Sequence, residues 1–243
     1  MARASLNRHW SDLATVRGDG GNLHALLCSR IAGCATMAFE RLRVVGRGVD
    51  TLRFGPRWRS EEMRRHWEAD GPVLLYVGRL AAEKNVGLTL RAFDAARRLV
   101  PSLKMVVVGD GPQRSTPERS FPQARFVGAQ RGKALARDSA SADLLAFPSL
   151  SDTFGNVTLE ALASGLPVIA FDTAAAGEHV RDGVSGRLLP RGDEIGSIDA
   201  ACQLIQCRAD LAGLRTAARK AARRPDWNTV MLSFELRSAV GAP

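Results

Sequence analysis

Strand-length apolar runs alternating with helical periods predict an α/β chain built on a doubly wound, Rossmann-like parallel sheet. Three observations predict it. Pro72 to Val77 (PVLLYV) is a continuous apolar run ending in Gly78-Arg79, the pattern of a strand buried on both faces. Leu103 to Gly111 (LKMVVVGDG) repeats that pattern. Between the two, Val86, Leu90, Phe93, Ala96 and Leu99 recur at helical spacing until Pro101 stops them. Strand and helix units of this size in succession imply parallel strands with helices on both faces, and ligands in such sheets bind beyond the carboxyl ends of the strands.

Taken in order, residues 1–40 show no sustained period beyond a short helix candidate from Leu23 to Ile31. From Arg41 a short strand runs into a glycine turn (LRVVGRGVD). Arg57 to Glu68, with Arg57, Arg59, Arg64 and Arg65, reads as a charged helix or linker and a place for a hinge. After the two apolar strands, a proline-containing connector leads to ARFVG (Ala124 to Gly128), a helix from about Arg131 to Ala140, and ADLLAFP. Then come PVIAF (Pro167 to Phe171), a short helix near Ala174 to Val180, the strand GVSGRLLP, and two or three helices from Asp193 to Ala239. The predicted strand ends, at Gly78-Arg79, Gly109-Asp110-Gly111, Gly128, Pro148-Ser149 and Asp172, are expected to line one crevice.

The stretch from Ser149 to Asp172 organises the rest. A strand, a turn at Phe154-Gly155-Asn156 and an apolar-periodic helix follow one another, so backbone N–H groups converge where an anion can sit. Asp152 in the loop and Glu160 just over a turn into the helix can face one pocket. Carboxylates are poor phosphate ligands but good hydroxyl acceptors. A ligand carrying both phosphate and sugar hydroxyls fits that pairing.

The chain has 243 residues, 45% hydrophobic and 24% charged, as in ordinary globular domains. Its net charge of +9 favours anionic partners: nucleotides, nucleic acid or an anionic membrane surface. Gly213 to Arg224 is basic and alanine-rich, and as a helix it sets Arg215, Arg219 and Arg223 in one stripe, favoured as a solvated or interdomain face over a membrane contact. Cys28, Cys34, Cys202 and Cys207 lack metal or redox spacing, which points to free thiols in the cytoplasm. No ligand pattern implies a metal. Aromatics are only 6% with no stacking motif among the charges, so no nucleic acid is expected as a partner. RLAAEKN follows the first apolar strand where an NAD enzyme would carry GxGxxG.

Four segments carry a resemblance: GRLAAEKN (Gly78 to Asn85), VVGDGP (Val107 to Pro112), the block from Ala142 to Asp172, and GEHVRDGVSGRLLP (Gly177 to Pro190). Together, over about residues 41–238, they resemble the carboxyl-terminal domain of retaining nucleotide-sugar glycosyltransferases of the GT-B fold, group 1 or family four. RGVD (Arg47 to Asp50) followed by Phe54, with FGNVTLEALASG, is most similar to the branch holding bacterial mannosyltransferases and sulfoquinovosyl-lipid synthases. The resemblance implies hexose transfer from GDP-mannose or a UDP-sugar to a lipid or polysaccharide acceptor, with no cofactor or metal. By motif position Arg79 and Lys84, beside Gly78, neutralise the donor diphosphate, whose charge grows as the glycosidic bond breaks. Asp152 contacts the donor sugar and Glu160 the ribose hydroxyls. Phe154, Gly155, Asn156 and Val157 present backbone N–H groups, and Gln130 lies in the loop beside the nucleobase. A lipid acceptor and the basic charge together leave room for peripheral contact with the inner face of an anionic membrane.

The sequence departs from the family in two ways. Asp152 stands where Glu is usual and is one methylene shorter, which alters its reach to the sugar; capping the following turn is its alternative role. Only about 40 residues precede the match, where the fold places an acceptor domain of roughly 150 residues. The expected division is an irregular segment 1–40, a first strand and linker 41–71, the nucleotide-sugar domain 72–225, and a crossover helix and tail 226–243 that leaves Trp227, Met231 and Phe234 uncovered. Two functions stay open: a hexosyltransferase, or a truncated, catalytically silent nucleotide-sugar-binding module.

Overall fold

The structure, a computed structural model, describes residues 48–151, 155–223 and 227. All of them lie in the unit Val45–Pro243. Strands β1 (Val73–Val77), β2 (Lys104–Val108), β3 (Ala124–Gly128), β4 (Leu144–Phe147), β5 (Val168–Phe171) and β6 (Gly186–Leu189) form one sheet in the order β3-β2-β1-β4-β5-β6. Every neighbouring pair is parallel. Helices α1 (Glu61–His66), α2 (Val86–Leu99), α3 (Ser115–Ser120), α4 (Gly132–Ser141), α5 (Asn156–Ala163), α6 (Ala174–His179), α7 (Glu194–Gln206) and α8 (Arg208–Ala221) accompany it. This is the doubly wound, Rossmann-like parallel sheet that the sequence predicts.

The continuous apolar runs are explained by burial on two sides. Leu74 and Tyr76 of β1 pack with Leu88, Leu90 and Phe93 of α2 and with Leu204 and Ile205 of α7. Their neighbours Val73, Leu75 and Val77 point the other way, into a core with Leu159 and Leu162 of α5 and Ala218 of α8. Successive strand residues face opposite sides, so a strand covered by helices on both must be apolar throughout. Each fully buried Leu or Phe contributes about 1.5–3 kcal/mol.

The proline-containing connector holds a helix the sequence does not advertise. Pro117 sits in the first turn of α3, where a missing N–H breaks no intrahelical bond. Helix α5 ends at Gly165-Leu166-Pro167: Gly165 N–H donates to Leu162 O and Leu166 N–H to Ala161 O, each at 2.9 Å.

The structure decides two open points about the arginines. Of the two readings of residues 57–68, charged helix or linker, the structure shows the helix, α1, in a docked segment that is not free to hinge. Ser60 caps α1, Arg59 donates to Ala140 O and Ala142 O, and buried Arg64 donates to Ser141 O at 2.9 Å and Gly71 O at 2.6 Å. The basic stripe of α8 is largely not a solvated face either. Arg215 donates to Ala142 O at 2.6 Å, and Arg219 donates to Ala163 O at 2.6 Å and to Phe54 O and Thr51 O. These guanidinium groups satisfy the last carbonyls of α4 and α5, where the helix dipole is negative. Arg223 is exposed, as the stripe reading expected. Arg59, Arg64 and Arg215 also converge on Asp143, with N–O distances of 3.1, 2.9 and 3.5 Å. Desolvation and the two neighbouring guanidinium groups hold the Arg215 pKa below its ordinary value, with Asp143 opposing them.

The helix candidate at 23–31 and the strand at 41–47 lie outside the described residues, as do Met231 and Phe234. Trp227 is 42% exposed, and its backbone N–H donates to Val49 O at 3.2 Å.

Candidate functional site

The strand order reverses between β1 and β4. From β1 the chain winds outward through β2 to β3, and from β4 it winds the other way through β5 to β6. Loops leaving the carboxyl ends of these two strands turn to opposite faces and leave a crevice. Gly78-Arg79 follow β1 there and Pro148-Ser149 follow β4.

The β1 loop is held from three directions. Tyr76, the fourth residue of β1, is fully buried, and its hydroxyl lies 3.1 Å from Arg79 O and 3.5 Å from Lys84 O. Leu80 N–H donates to Asp110 O at 3.0 Å and Gln113 N–H to Leu80 O at 3.1 Å, which ties the loop to the one after β2. Leu150 N–H donates to Glu83 O at 3.0 Å, which ties it to the loop after β4. The close approach of the β1 and β2 ends requires glycine: Gly109 has φ +150°, and a Cβ there would overlap the Gly78 carbonyl.

Within this frame Lys84 crosses the crevice. Its ammonium donates to Ser149 Oγ at 3.3 Å and to Ser151 O at 2.5 Å, and Ser149 Oγ in turn donates to Ser151 O at 2.8 Å. Arg79 is exposed one residue beyond Gly78, and its side chain makes no ion pair among the described residues. The β4 loop then leads into α5, whose N-cap residue is Gly155 and whose first turn receives no side-chain cap from that residue. Gly155, buried and at φ +65°, makes the left-handed step that begins the helix. The N–H groups of Asn156 and Val157 therefore open on the carboxyl-terminal side of the sheet.

Glu160 lies one turn farther along α5 and is half-buried. Burial raises its pKa to about 7, with Arg53 opposing the shift. A carboxyl group with a raised pKa in the folded state binds more protons there than in the unfolded chain between about pH 4.5 and 7, so its burial costs stability progressively across that window. Glu160→Gln is accordingly expected to melt with the wild type near pH 4.5, to gain on it through pH 7, and to hold a constant advantage of about 2–4 °C above that, as for roughly 1 kcal/mol in a domain of this size. Thermal melts at four pH values check this.

Gln130 follows β3, two strands out from the crevice and so roughly 10 Å from β1. Its side-chain amide donates to Val127 O at 3.2 Å. Asp152 and Phe154 lie outside the described residues. The structure therefore brings Gly78, Arg79, Lys84, Gly155, Asn156, Val157 and Glu160 to one end of the sheet, with Gln130 at its flank. Sequence reasoning missed the supporting Tyr76, read only as part of an apolar run, and Arg53, whose charge acts on Glu160. A tyrosine amid aliphatic residues in a strand buried on both faces was the available signal, because a buried hydroxyl needs a partner. A groove of about 630 Å³ between Pro56, Gly165 and α8 lies at the far end of α5 and belongs to the packing of that helix rather than to this crevice. Among the described residues no three His, Cys, Asp or Glu side chains gather as metal ligands, and no helix is long and apolar enough to cross a membrane. Cys202 and Cys207 are free.

The family model for group 1 glycosyl transferases matches residues 71–207. The chain belongs to that family. It is 42% identical over 187 residues to a GDP-mannose-dependent alpha-mannosyltransferase of Mycobacterium tuberculosis, a match covering 76% of this chain and 47% of the relative. It is 34% identical over 205 residues to the sulfoquinovosyl transferase SQD2 of Arabidopsis thaliana, covering 81% of this chain and 39% of that protein. The fold agrees with the crystal structure of the pneumococcal O-GlcNAc transferase GtfA in complex with UDP and GlcNAc: TM-score 0.70 at 20% identity, over 88% of this chain and 42% of that one. The chain thus spans about half the length of the curated relatives it matches.

Proposed function

We propose that this group 1 glycosyltransferase domain binds a nucleotide diphosphate sugar in the crevice between β1 and β4. It would act as the donor half of a hexosyltransferase that works with retention, taking GDP-mannose or a UDP-sugar and serving a lipid or polysaccharide acceptor. The observation that carries the reading is Lys84, held across the crevice against Ser149 and Ser151 in the loop that leads to the start of α5. A fixed cation and free helix N–H groups facing one space form a site for a diphosphate.

In this reading Arg79 and Lys84 take up the charge that accumulates on the leaving nucleoside diphosphate, which lowers the barrier to breaking the glycosidic bond without a metal. Glu160 accepts from the ribose hydroxyls, and its burial makes it prefer such donors to solvent. Asp152 contacts the sugar. The leaving phosphate accepts the acceptor's proton on the face it departs from, so neither acid plays the role of a hydrolase carboxylate. The setting is cytoplasmic, with peripheral contact at a membrane where the acceptor is a lipid. Arg215 and Arg219, engaged by helix carbonyls, add little to such a contact.

The second reading is a nucleotide-sugar-binding module that carries out no transfer. Calorimetry of the chain with GDP-mannose and several UDP-sugars, beside a transfer assay, separates the two. Transfer supports the enzyme, binding alone supports the module, and binding of none of these sugars overturns both.

A further inference from the structure

We infer that the hydroxyl of Tyr76 is a positioning group that sets the two cations of the donor site at the spacing a diphosphate requires. The inference rests on the function proposed above and deepens it. Tyr76 is fully buried in β1, with its ring among the side chains that pack against α2. Its hydroxyl reaches out of that core toward two backbone carbonyls, Arg79 O at 3.1 Å and Lys84 O at 3.5 Å. These are the carbonyls of the two residues whose side chains carry the positive charge. The hydroxyl thus meets both ends of the segment Arg79 to Lys84; within it Ala81 N–H donates to Arg79 O and Lys84 N–H to Ala81 O, each at 3.0 Å, and Leu80 and Glu83 tie it to Asp110, Gln113 and Leu150.

The geometry favours a device for spacing over simple filling of the core. A buried tyrosine hydroxyl demands a partner, and one proton serves two acceptors only if both are drawn toward it. The shorter contact is the stronger bond, and the 3.5 Å contact sits at the limit of useful length. The loop is thus pulled into a closed turn around one oxygen, and the cations leave that turn together. Gly78 leaves just enough room: a Cβ there would come within 3.1 Å of the phenol oxygen.

The test uses the full chain with Tyr76→Phe, titrated with GDP, UDP and the corresponding monophosphates at several salt concentrations. Removing the oxygen is expected to weaken the favoured diphosphate about 5–10-fold, to change monophosphate binding by less than twofold, and to flatten the salt dependence of diphosphate binding, since fewer charges meet the ligand together. A loss of packing alone would not change the ratio of diphosphate to monophosphate. If Tyr76→Phe fails to melt cooperatively, Gly78→Ala serves instead, because its Cβ crowds the same oxygen and keeps the hydroxyl; the same selective loss is expected. An unchanged ratio in a folded variant overturns the inference while leaving the donor site standing. A wild-type chain that binds neither GDP nor UDP overturns the function proposed above, and the positioning role with it, and that failure is visible before any variant is made.

Discussion

Replacing Arg79 and Lys84 together by alanine is expected to abolish measurable binding of nucleoside diphosphates. A hydrogen bond to a charged group contributes about 1.5–3 kcal/mol, so each single substitution should weaken binding by roughly 10–100-fold. The two are expected to differ in kind. Arg79 is exposed and makes no ion pair among the described residues, so Arg79→Ala should leave the melting temperature unchanged and reduce affinity alone. Lys84 bridges to Ser149 and Ser151, so Lys84→Ala should also loosen the loop after β4 and cost a few degrees of thermal stability. Calorimetry with GDP and UDP, paired with thermal melts, reads both quantities. Wild-type affinity in Arg79→Ala would remove that residue from the site.

The largest effect on stability is expected at the opposite end of the sheet. Asp143→Ala leaves Arg59, Arg64 and Arg215 crowded together without the carboxylate they share, and also removes the acceptor for Val73 N–H at the start of β1. Breaking a buried ion pair by deleting one partner costs about 3–5 kcal/mol; the residual exposure of this cluster and its carbonyl partners argue for the lower end. The melting temperature should fall by roughly 6–12 °C. Asp143→Asn keeps an acceptor oxygen and should lose about half as much. Nucleotide affinity measured well below the transition should not change in either variant, because the cluster lies at the amino ends of the strands and the crevice at the carboxyl ends.

The strands were legible because burial on two faces leaves an unmistakable composition. Val73 to Val77 has no polar side chain apart from the phenol of Tyr76, and a parallel strand between two helical layers tolerates little else. The ends of those strands were legible for a related reason, since glycine marks where backbones approach closely, as Gly109 does to Gly78. The arginines were not. A stripe at i, i+4 and i+8 states only that three charges share a side of a helix. Whether that side meets water or the carbonyl ends of two other helices depends on where α4 and α5 stop, and those stops are 56 to 75 positions away in the chain. The same holds for residues 57–68, whose charges left helix and linker open until Ala140, Ser141 and Ala142 supplied acceptors.

By itself the sequence determined the layers, the strand ends and the family, because each is written in local pattern: apolar runs, glycines at turns, and four motifs in order. Only the tertiary structure decided that β1 and β4 are neighbours, and with them that Lys84 meets Ser149 and that Tyr76 draws two carbonyls to one oxygen. Those contacts arise where the winding of the sheet reverses. Strand order is a property of packing between segments some seventy residues apart, so no local pattern of residues records it.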